Sequence, residues 1–387
     1  MLGRRRGMAV ALNPERHEQL RMSRQPAIEI IVRVHRSDRP LRRAVESILE
    51  YPAAGAVVVA HGIDPAELDV PDDRRVRVIR CDEGVGYSGF ASNAGLDACV
   101  ADYIGLLDSD DYFETGALAA LHDRLVRTRS DGVIVPLAFE GQTERTRNPA
   151  TFRRTQLHPA RHRLFFRTVP AGLYRRETWQ RLPTRFEEGV PAGVDQKFSA
   201  LLYSSGIRIA HFPEDPAYVM CDDGKPRVTT ITRPLAEHAE AWRRLWYDKD
   251  VLAISRRNRL ALAEKFAQVH LLGMIATRPD ARAWRDGDFA FLSHLAQRIT
   301  SLEPAVDRSF TRARRKIWTA LLEGDVDAAL TAQRTASFLD WRLPAYAGGP
   351  LRRNFWLRIQ LDSALSRLRD RISAIGGALA GRKRTAA

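Results

Sequence analysis

The pattern of apolar residues divides the chain into two regions. In the first region, short apolar runs alternate with segments whose apolar residues recur at helical spacing. The runs predict buried strands and the recurring positions predict amphipathic helices. Strands are predicted at 28–34, 56–60, 76–80, 103–107 and 132–139, and helices at 38–50, 90–100, 115–129 and 195–204. This alternation predicts an α/β fold with a mostly parallel sheet flanked by helices.

From about residue 236 onward the pattern is almost wholly helical. Trp242, Leu245 and Trp246 begin it, after a mixed stretch of short strands and turns. The predicted organisation is therefore a basic, disordered lead-in at 1–26, an α/β domain at 27–240 and a helical C-terminal domain at 241–387. The boundary is placed near 235–245.

Charge and cysteine content narrow the function classes. The formal net charge is +14 and the sequence pI is about 10.2, which favours an anionic partner such as nucleotide phosphates, anionic lipid or an acidic polymer. Three scattered cysteines do not make a disulfide framework or a zinc site. No signal peptide or membrane-spanning run is visible. A cytoplasmic protein is expected, and attachment to the inner face of the plasma membrane stays open.

The strongest chemical pattern is an acidic run at the end of a predicted strand. Tyr103 to Leu107 is apolar, and Asp108-Ser109-Asp110-Asp111 follows directly. Ligands in parallel sheets bind at the carboxyl ends of the strands. Clustered carboxylates suit Mg²⁺ or Mn²⁺, which prefer oxygen ligands. The alternative is an acidic turn that caps the next helix.

A glycine-containing segment precedes that strand and completes a resemblance. Gly84-Val-Gly86-Tyr-Ser-Gly-Phe-Ala-Ser-Asn93-Ala-Gly95-Leu-Asp-Ala, the opening run Ile28 to Val34 and the Asp-Ser-Asp together resemble family 2 glycosyltransferases of the GT-A fold. The resemblance covers roughly residues 27–235. It implies a Rossmann-like sheet, a nucleotide-sugar donor, and a metal held by Asp110 with Asp108, which would also reach the donor ribose or a metal-bound water.

The resemblance also implies a catalytic base farther along the chain. Asp195 follows a glycine-rich turn and opens a predicted helix, where the family places its base, although Val194 stands where the family usually has Glu. A single carboxylate that deprotonates an acceptor hydroxyl would give inversion at the anomeric carbon. The alternative is that Asp195 only caps its helix.

Three departures fall in the donor region. Arg33 and Arg36 replace the usual Pro and Asn after the first strand, Ala60-His61-Gly62 replaces Asp-Asp-Gly, and Ser92 replaces Arg. We therefore expect an unusual donor, or a nucleotide base that is held differently. The predicted donor-binding residues are Arg33, His61, Asn93, Asp108, Arg227 and Thr229. For Arg33 and Arg36 the alternative is surface arginines, for His61 a solvated loop residue, and for Arg227 and Thr229 ordinary turn residues.

Residues 352–384 combine a heptad-like apolar series with nine arginine and lysine residues. Three interpretations stay open: an amphipathic helix on an anionic membrane surface, a helix that pairs in a homo-oligomer, and a charged face of a helix docked on the core.

The sequence thus favours an inverting, metal-dependent glycosyltransferase that acts on a hydroxyl of a cell-surface glycan, wall polymer or lipid-linked acceptor. The alternative is a catalytically silent GT-A domain that binds glycan or nucleotide. A nucleic-acid partner is disfavoured because no recognised nucleic-acid-binding motif is present.

Overall fold

The computed structural model describes residues 26–142, 151–167, 171–222, 233–346, 360–361 and 364–365. These residues fall into two compact units that interleave along the chain. The described part of the first unit comprises 26–142, 171–189 and 207–222, and that of the second comprises 151–167, 190–206, the residues from 233 to 346, and the two short pairs that follow.

The first unit contains the strands. They are β1 (Ile28–Val34), β2 (Ala54–His61), β3 (Val76–Cys81), β4 (Tyr103–Asp108), β5 (Tyr112–Phe113), β6 (Gly132–Ile134), β7 (Leu137–Phe139), β8 (Gly172–Arg175), β9 (Ile209–His211) and β10 (Tyr218–Met220). Its helices are α1 (Leu41–Leu49), α2 (Ser88–Ala98), α3 (Ala117–Thr128) and α4 (Arg176–Gln180).

Seven strands form the central sheet, in the order β3-β2-β1-β4-β8-β6-β9. All neighbours in it pair in parallel except β8, which is antiparallel to both β4 and β6. Every residue of β2 is buried, as is expected of a central strand in a sheet flanked by helices. The predicted mostly parallel α/β sheet is confirmed. A second, three-stranded sheet has the order β5-β10-β7.

Gly95 allows α2 to pack closely on this sheet. A Cβ atom at that position would lie 2.3 Å from Ile31 Cγ2 and 3.1 Å from Val59 Cγ2. Only glycine leaves room for the helix to approach β1 and β2 this closely. The Asn-x-Gly pattern of α2 therefore has a packing cause at its glycine.

The single strand predicted at 132–139 is wrong. The segment forms β6 in the seven-stranded sheet and β7 in the three-stranded sheet. Pro136 stands between them and has no N–H to donate to a ladder, so one continuous central strand cannot pass through it. Its carbonyl oxygen accepts a hydrogen bond from Tyr218 N at 2.9 Å, at the start of β10.

The second unit is helical. It contains α5 (Gln196–Ser204), α6 (Leu235–His238), α7 (Glu240–Leu245), α8 (Lys249–Ala253), α9 (Arg256–Lys265), a π-helix (Phe266–Leu271), α10 (Leu272–Ala276), α11 (Asp288–Leu302), α12 (Arg312–Glu323) and α13 (Val326–Thr335). Tyr203 Oη in α5 donates to the carbonyl oxygen of Arg167 at 2.7 Å, so two segments from the middle of the chain meet within this unit.

The linear domain boundary expected near 235–245 stays a prediction. Residues 151–167 and 190–206 belong to the helical unit, although they precede that boundary. Local periodicity predicts helices and strands, but it does not predict which unit each segment packs in. Long-range packing decides that.

Several predictions concern residues outside the described ranges. Residues 1–25 of the lead-in and nearly all of 352–384 lie there. Within the second stretch, Leu361 and Leu365 are described as helical, and both are exposed. Among the described residues, no helix is both long and apolar enough to cross a membrane.

Candidate functional site

Arg33 and Asp108 meet at the carboxyl ends of two adjacent strands. The parallel register of β1 and β4 sets these residues side by side. The Arg33 guanidinium forms an ion pair with the Asp108 carboxylate and donates to Ser92 Oγ at 3.0 Å. The Arg33 side chain is only 15% exposed, so the surface-arginine alternative is wrong for this residue. It fits Arg36, which pairs with Asp38 where both are exposed.

A second arginine, Arg39, compensates the negative charge of Asp110, the next acidic residue of the run. Arg39 Nη1 donates to Asp110 Oδ2 at 3.0 Å, and the Arg39 side chain is almost fully buried. Arg43 Nη2 donates to the backbone carbonyl oxygen of Asp110 at 2.7 Å. The acidic run is therefore surrounded by guanidinium groups, which hydrogen-bond well to phosphate as well as to carboxylate. Sequence reasoning missed Arg39 and Arg43, because their contacts span about seventy positions.

Asp111 is held by β10 and by the residue that follows this strand. Tyr218 Oη donates to Asp111 Oδ2 at 2.6 Å and accepts from Asp108 N at 3.1 Å, and Cys221 N donates to Asp111 Oδ1 at 2.8 Å. Burial, with a smaller effect of Asp108, raises the pKa of Asp111 to about 7. Tyr218 thus fixes the acidic turn through two hydrogen bonds. Its only sequence cue was its place at the start of an apolar strand.

Asn93 ties α2 to the segment at 186–188. Its side-chain Oδ1 accepts from Phe186 N, and its Nδ2 donates to Phe186 O, both at 3.0 Å. The same Nδ2 donates to Glu188 Oε1 at 2.7 Å. This pairing of the amide with one backbone N–H and C=O imitates a strand ladder. The structure therefore gives Asn93 a tethering function, and its predicted contact with a donor stays a prediction.

His61 is the last residue of β2 and is buried. Its Nε2 lies 2.9 Å from the carbonyl oxygen of Glu83. The solvated-loop alternative is therefore wrong, and the predicted role of His61 in donor binding stays a prediction.

The acidic run offers the right atoms for a hard divalent cation. Asp108 and Asp110 present carboxylate oxygens, which suit Mg²⁺ or Mn²⁺. Within the described ranges, no group of three or more His, Cys, Asp or Glu side chains is arranged to hold a metal ion. Mg²⁺ commonly completes its coordination with water and with substrate phosphates.

Asp195 lies in the second unit, directly before α5, and is buried. In the described residues of α5, the Asp195 side chain makes no capping hydrogen bond to the helix. The structure thus gives no support to the capping alternative. Asp195 Oδ1 instead accepts a hydrogen bond from Gln196 Nε2 at 3.3 Å. The predicted contacts Arg227 and Thr229 lie outside the described residues.

Comparison with known proteins agrees with this geometry. Residues 29–182 match the family model described as glycosyl transferase family 2. The chain is 24% identical over 206 residues to the uncharacterized glycosyltransferase EpsJ of Bacillus subtilis (strain 168), a match that spans 49% of this chain and only 59% of that relative.

The fold resembles that of solved S. aureus TarS structures. TarS 1–349 in complex with UDP-GlcNAc superposes with a TM-score of 0.63 at 16% identity, over 80% of this chain and 90% of that one. The structure of TarS gives a TM-score of 0.62 at 16% identity, over 80% of this chain and 55% of that one. Residues 29–182 thus match family 2 glycosyltransferases, and the chain has a fold similar to that of TarS.

Proposed function

We propose that the protein transfers a sugar from a nucleoside-diphosphate sugar to an acceptor hydroxyl, with inversion at the anomeric carbon. The observation that carries this proposal is the pair of ion pairs Arg33–Asp108 and Arg39–Asp110, at the end of β4 in a segment that matches family 2. TarS, which shares the fold, has been solved with UDP-GlcNAc and with UDP. That precedent supports a nucleoside diphosphate as the leaving group.

The residues of the first unit are assigned to donor binding. Arg33 is proposed to bind the donor diphosphate, and Asp108 the ribose; His61, Asn93, Arg227 and Thr229 are proposed to complete the donor site. Asp110 and Asp108 are proposed to hold Mg²⁺ or Mn²⁺. When bound, this cation would stabilise the negative charge of the leaving diphosphate. Arg39 orients the Asp110 carboxylate through its hydrogen bond.

Asp195 is proposed as the catalytic base. Its carboxylate would take the proton of the acceptor hydroxyl, so one displacement inverts the anomeric centre. A buried carboxylate that does not cap its own helix supports this assignment. The acceptor is proposed to be a cell-surface glycan, wall polymer or lipid-linked saccharide, and the net charge of +14 favours an anionic one.

The test is a thermal-shift and turnover screen of the full chain. UDP-GlcNAc, UDP-glucose, GDP-mannose and the diphosphates UDP and GDP are tested with Mn²⁺ or with EDTA, on wild type, Asp110→Ala and Asp123→Ala. Turnover is measured with wall polymer or lipid-linked saccharide present to accept the sugar. A ligand that binds only the native state raises the melting temperature. A Mn²⁺-dependent shift and release of nucleoside diphosphate are expected in wild type and in Asp123→Ala, whose changed residue lies on α3 and pairs with Arg127, but not in Asp110→Ala.

A silent GT-A domain that binds glycan or nucleotide is the second candidate. It is favoured by the arginine partners that already compensate Asp108 and Asp110. A nucleotide-induced shift with no diphosphate release from any donor supports this candidate and rejects the transferase. A shift that is equal in EDTA and in Mn²⁺ rejects the metal requirement alone.

A further inference from the structure

The helical unit contains a buried lysine at the end of α9. Lys265 is 2% exposed, and its Nζ donates to Gln196 Oε1 at 2.7 Å and lies 2.6 Å from His270 Nε2. Lysine is almost never fully buried without a partner, because removing its charge from water is costly. Such burial therefore indicates a specific arrangement of neighbouring groups.

A π-helix creates the contact between Lys265 and His270. The segment Phe266–Leu271 directly follows α9 and has the wider turn of a π-helix. The residues at the two ends of such a turn, five positions apart, lie close together, and π-helical turns occur often at functional sites. The ring of Trp242 packs against His270 with centroids 4.7 Å apart. Burial and Lys265 hold the pKa of His270 well below its ordinary value, so its neutral Nε2 accepts a hydrogen bond.

Gln196 connects this lysine to Asp195. An ammonium group only donates, so it must face the oxygen of the Gln196 amide. The amide nitrogen then faces Asp195 Oδ1, which accepts from it at 3.3 Å. His270, Lys265, Gln196 and Asp195 thus form one chain of hydrogen bonds whose direction is fixed by the donor at Lys265.

We propose that Lys265 and Gln196 are positioning residues that orient the carboxylate of Asp195 through this chain. The inference rests on the proposed function, since it assumes that Asp195 is the base. Lys265 contributes charge as well as orientation, whereas Gln196 contributes orientation alone.

The ionisable groups around Lys265 come from three elements. Asp195 precedes α5, His270 lies in the π-helix, and His238 at the end of α6 acts electrostatically on His270. Burial lowers the pKa of Lys265 to about 7, while Asp195 acts in the opposite direction. Below about pH 7, where Lys265 is protonated, loss of the lysine removes a positive charge beside the proposed base. We therefore expect a change in the pH profile of kcat as well as in its size.

The experiment compares four variants of the full chain: Asp195→Asn, Gln196→Met, Lys265→Met and the control Lys197→Met. Lys197 lies next to Gln196 on α5 but pairs with Asp248. Turnover is measured as release of nucleoside diphosphate from the nucleotide sugars of the panel above, with KM for the donor, the pH profile and the melting temperature.

In Gln196→Met and Lys265→Met, kcat is expected to fall about tenfold to a hundredfold, because a misplaced catalytic group costs rate rather than binding. The donor KM is expected to stay within about twofold in both, since the diphosphate contacts are untouched. Only Lys265→Met should move the acid limb of the kcat profile to higher pH. Its melting temperature should fall moderately, because Gln196 Oε1 and His270 Nε2 lose this buried donor. Lys197→Met should match wild type.

The outcomes separate this inference from the proposed function. If Asp195→Asn loses turnover while Gln196→Met and Lys265→Met keep the wild-type kcat, the positioning role is overturned and the proposed function stands. Loss of kcat in parallel with a fall in melting temperature, without any change in the pH profile, would show only a structural role. Absence of turnover in wild type, or full turnover in Asp195→Asn, overturns both proposals.

Discussion

Tyr218, in the three-stranded sheet, holds the acidic run in place through two hydrogen bonds. Its hydroxyl group accepts from Asp108 N and donates to Asp111 Oδ2, so one atom holds both ends of the turn. The hydroxyl is buried, and burial together with Asp108 and Asp111 raises the pKa of Tyr218 well above its ordinary value. It therefore stays protonated and keeps donating at any pH at which the enzyme would be assayed.

Replacement Tyr218→Phe should loosen this turn. The Asp108 N–H loses its partner and the Asp111 carboxylate loses one of two donors, which should cost about 1–3 kcal/mol of unfolding free energy. The Mn²⁺-dependent thermal shift with nucleotide should also weaken, because the carboxylates are no longer held. Urea unfolding and the thermal-shift screen measure the two effects.

Tyr51→Phe is the matched control for this prediction. It also removes a buried hydroxyl hydrogen bond, here to His122 Nδ1 at 2.9 Å, but away from the acidic run. A similar loss of stability with an unchanged nucleotide response is expected. An equal nucleotide response in both variants would contradict the assignment of Tyr218 to the site.

At the residue scale, the sequence predicts strand-end residues well and their partners poorly. Asp108 is placed by the apolar strand that precedes it, and the adjacent strand brings Arg33 beside it. Tyr218 and Arg39 could not be found in this way. Their contacts with the acidic run join residues about seventy to one hundred positions apart, and no local period records such contacts.

At the element scale, α2 shows how one residue sets the distance between a helix and a sheet. Gly95→Ala would introduce a Cβ 2.3 Å from Ile31 Cγ2. Either the helix or β1 must shift, and overpacking of this kind typically costs about 1–3 kcal/mol. The melting temperature of the variant should fall, as measured by thermal unfolding.

Gly273→Ala makes the same chemical change in a helix that has room for it. Apart from the backbone of α10 itself and the two adjacent residues, no heavy atom of the described residues lies within 4 Å of the added Cβ. Alanine is the better helix former, so stability should rise by up to about 1 kcal/mol. A loss in Gly273→Ala equal to that in Gly95→Ala would show that the effect does not come from the close approach of α2.

The elements themselves were largely predictable. The apolar runs gave β1 to β4 almost to the residue, because buried strands have a composition that is visible locally. The antiparallel insertion of β8 and the division of 132–139 between two sheets were not predicted. Strand direction and sheet membership depend on which strands pair, and pairing is decided by packing across the molecule.

At the scale of the whole molecule, the units interleave, whereas the sequence suggested consecutive domains. The net charge, in contrast, follows directly from the sequence. The value of +14 includes nine basic residues at 352–384. Each basic residue near an anionic lipid surface contributes about 1 kcal/mol of attraction, which falls off within a Debye length.

The predicted attachment to a membrane surface can therefore be tested by charge alone. The full chain should bind vesicles of phosphatidylglycerol and phosphatidylcholine at low salt, and should not bind phosphatidylcholine alone. The triple change Arg367→Gln, Arg369→Gln, Arg371→Gln should weaken binding about a hundredfold, since three charges contribute about 3 kcal/mol. Added salt should remove the difference between the two proteins, because it screens the attraction.

A second triple variant with the same net charge tests whether vesicle binding depends on residues 352–384 or on the charge of the whole protein. Arg127→Gln, Arg181→Gln, Arg256→Gln removes three positive charges from exposed positions in the described helices and turns. If vesicle binding depends on 352–384, this variant should bind nearly as well as wild type. Equal weakening in both triple variants would assign the attraction to the overall charge. No binding by wild type at low salt would reject the membrane interpretation and leave pairing of chains, which sedimentation at rising protein concentration would reveal, or a helix docked on the core.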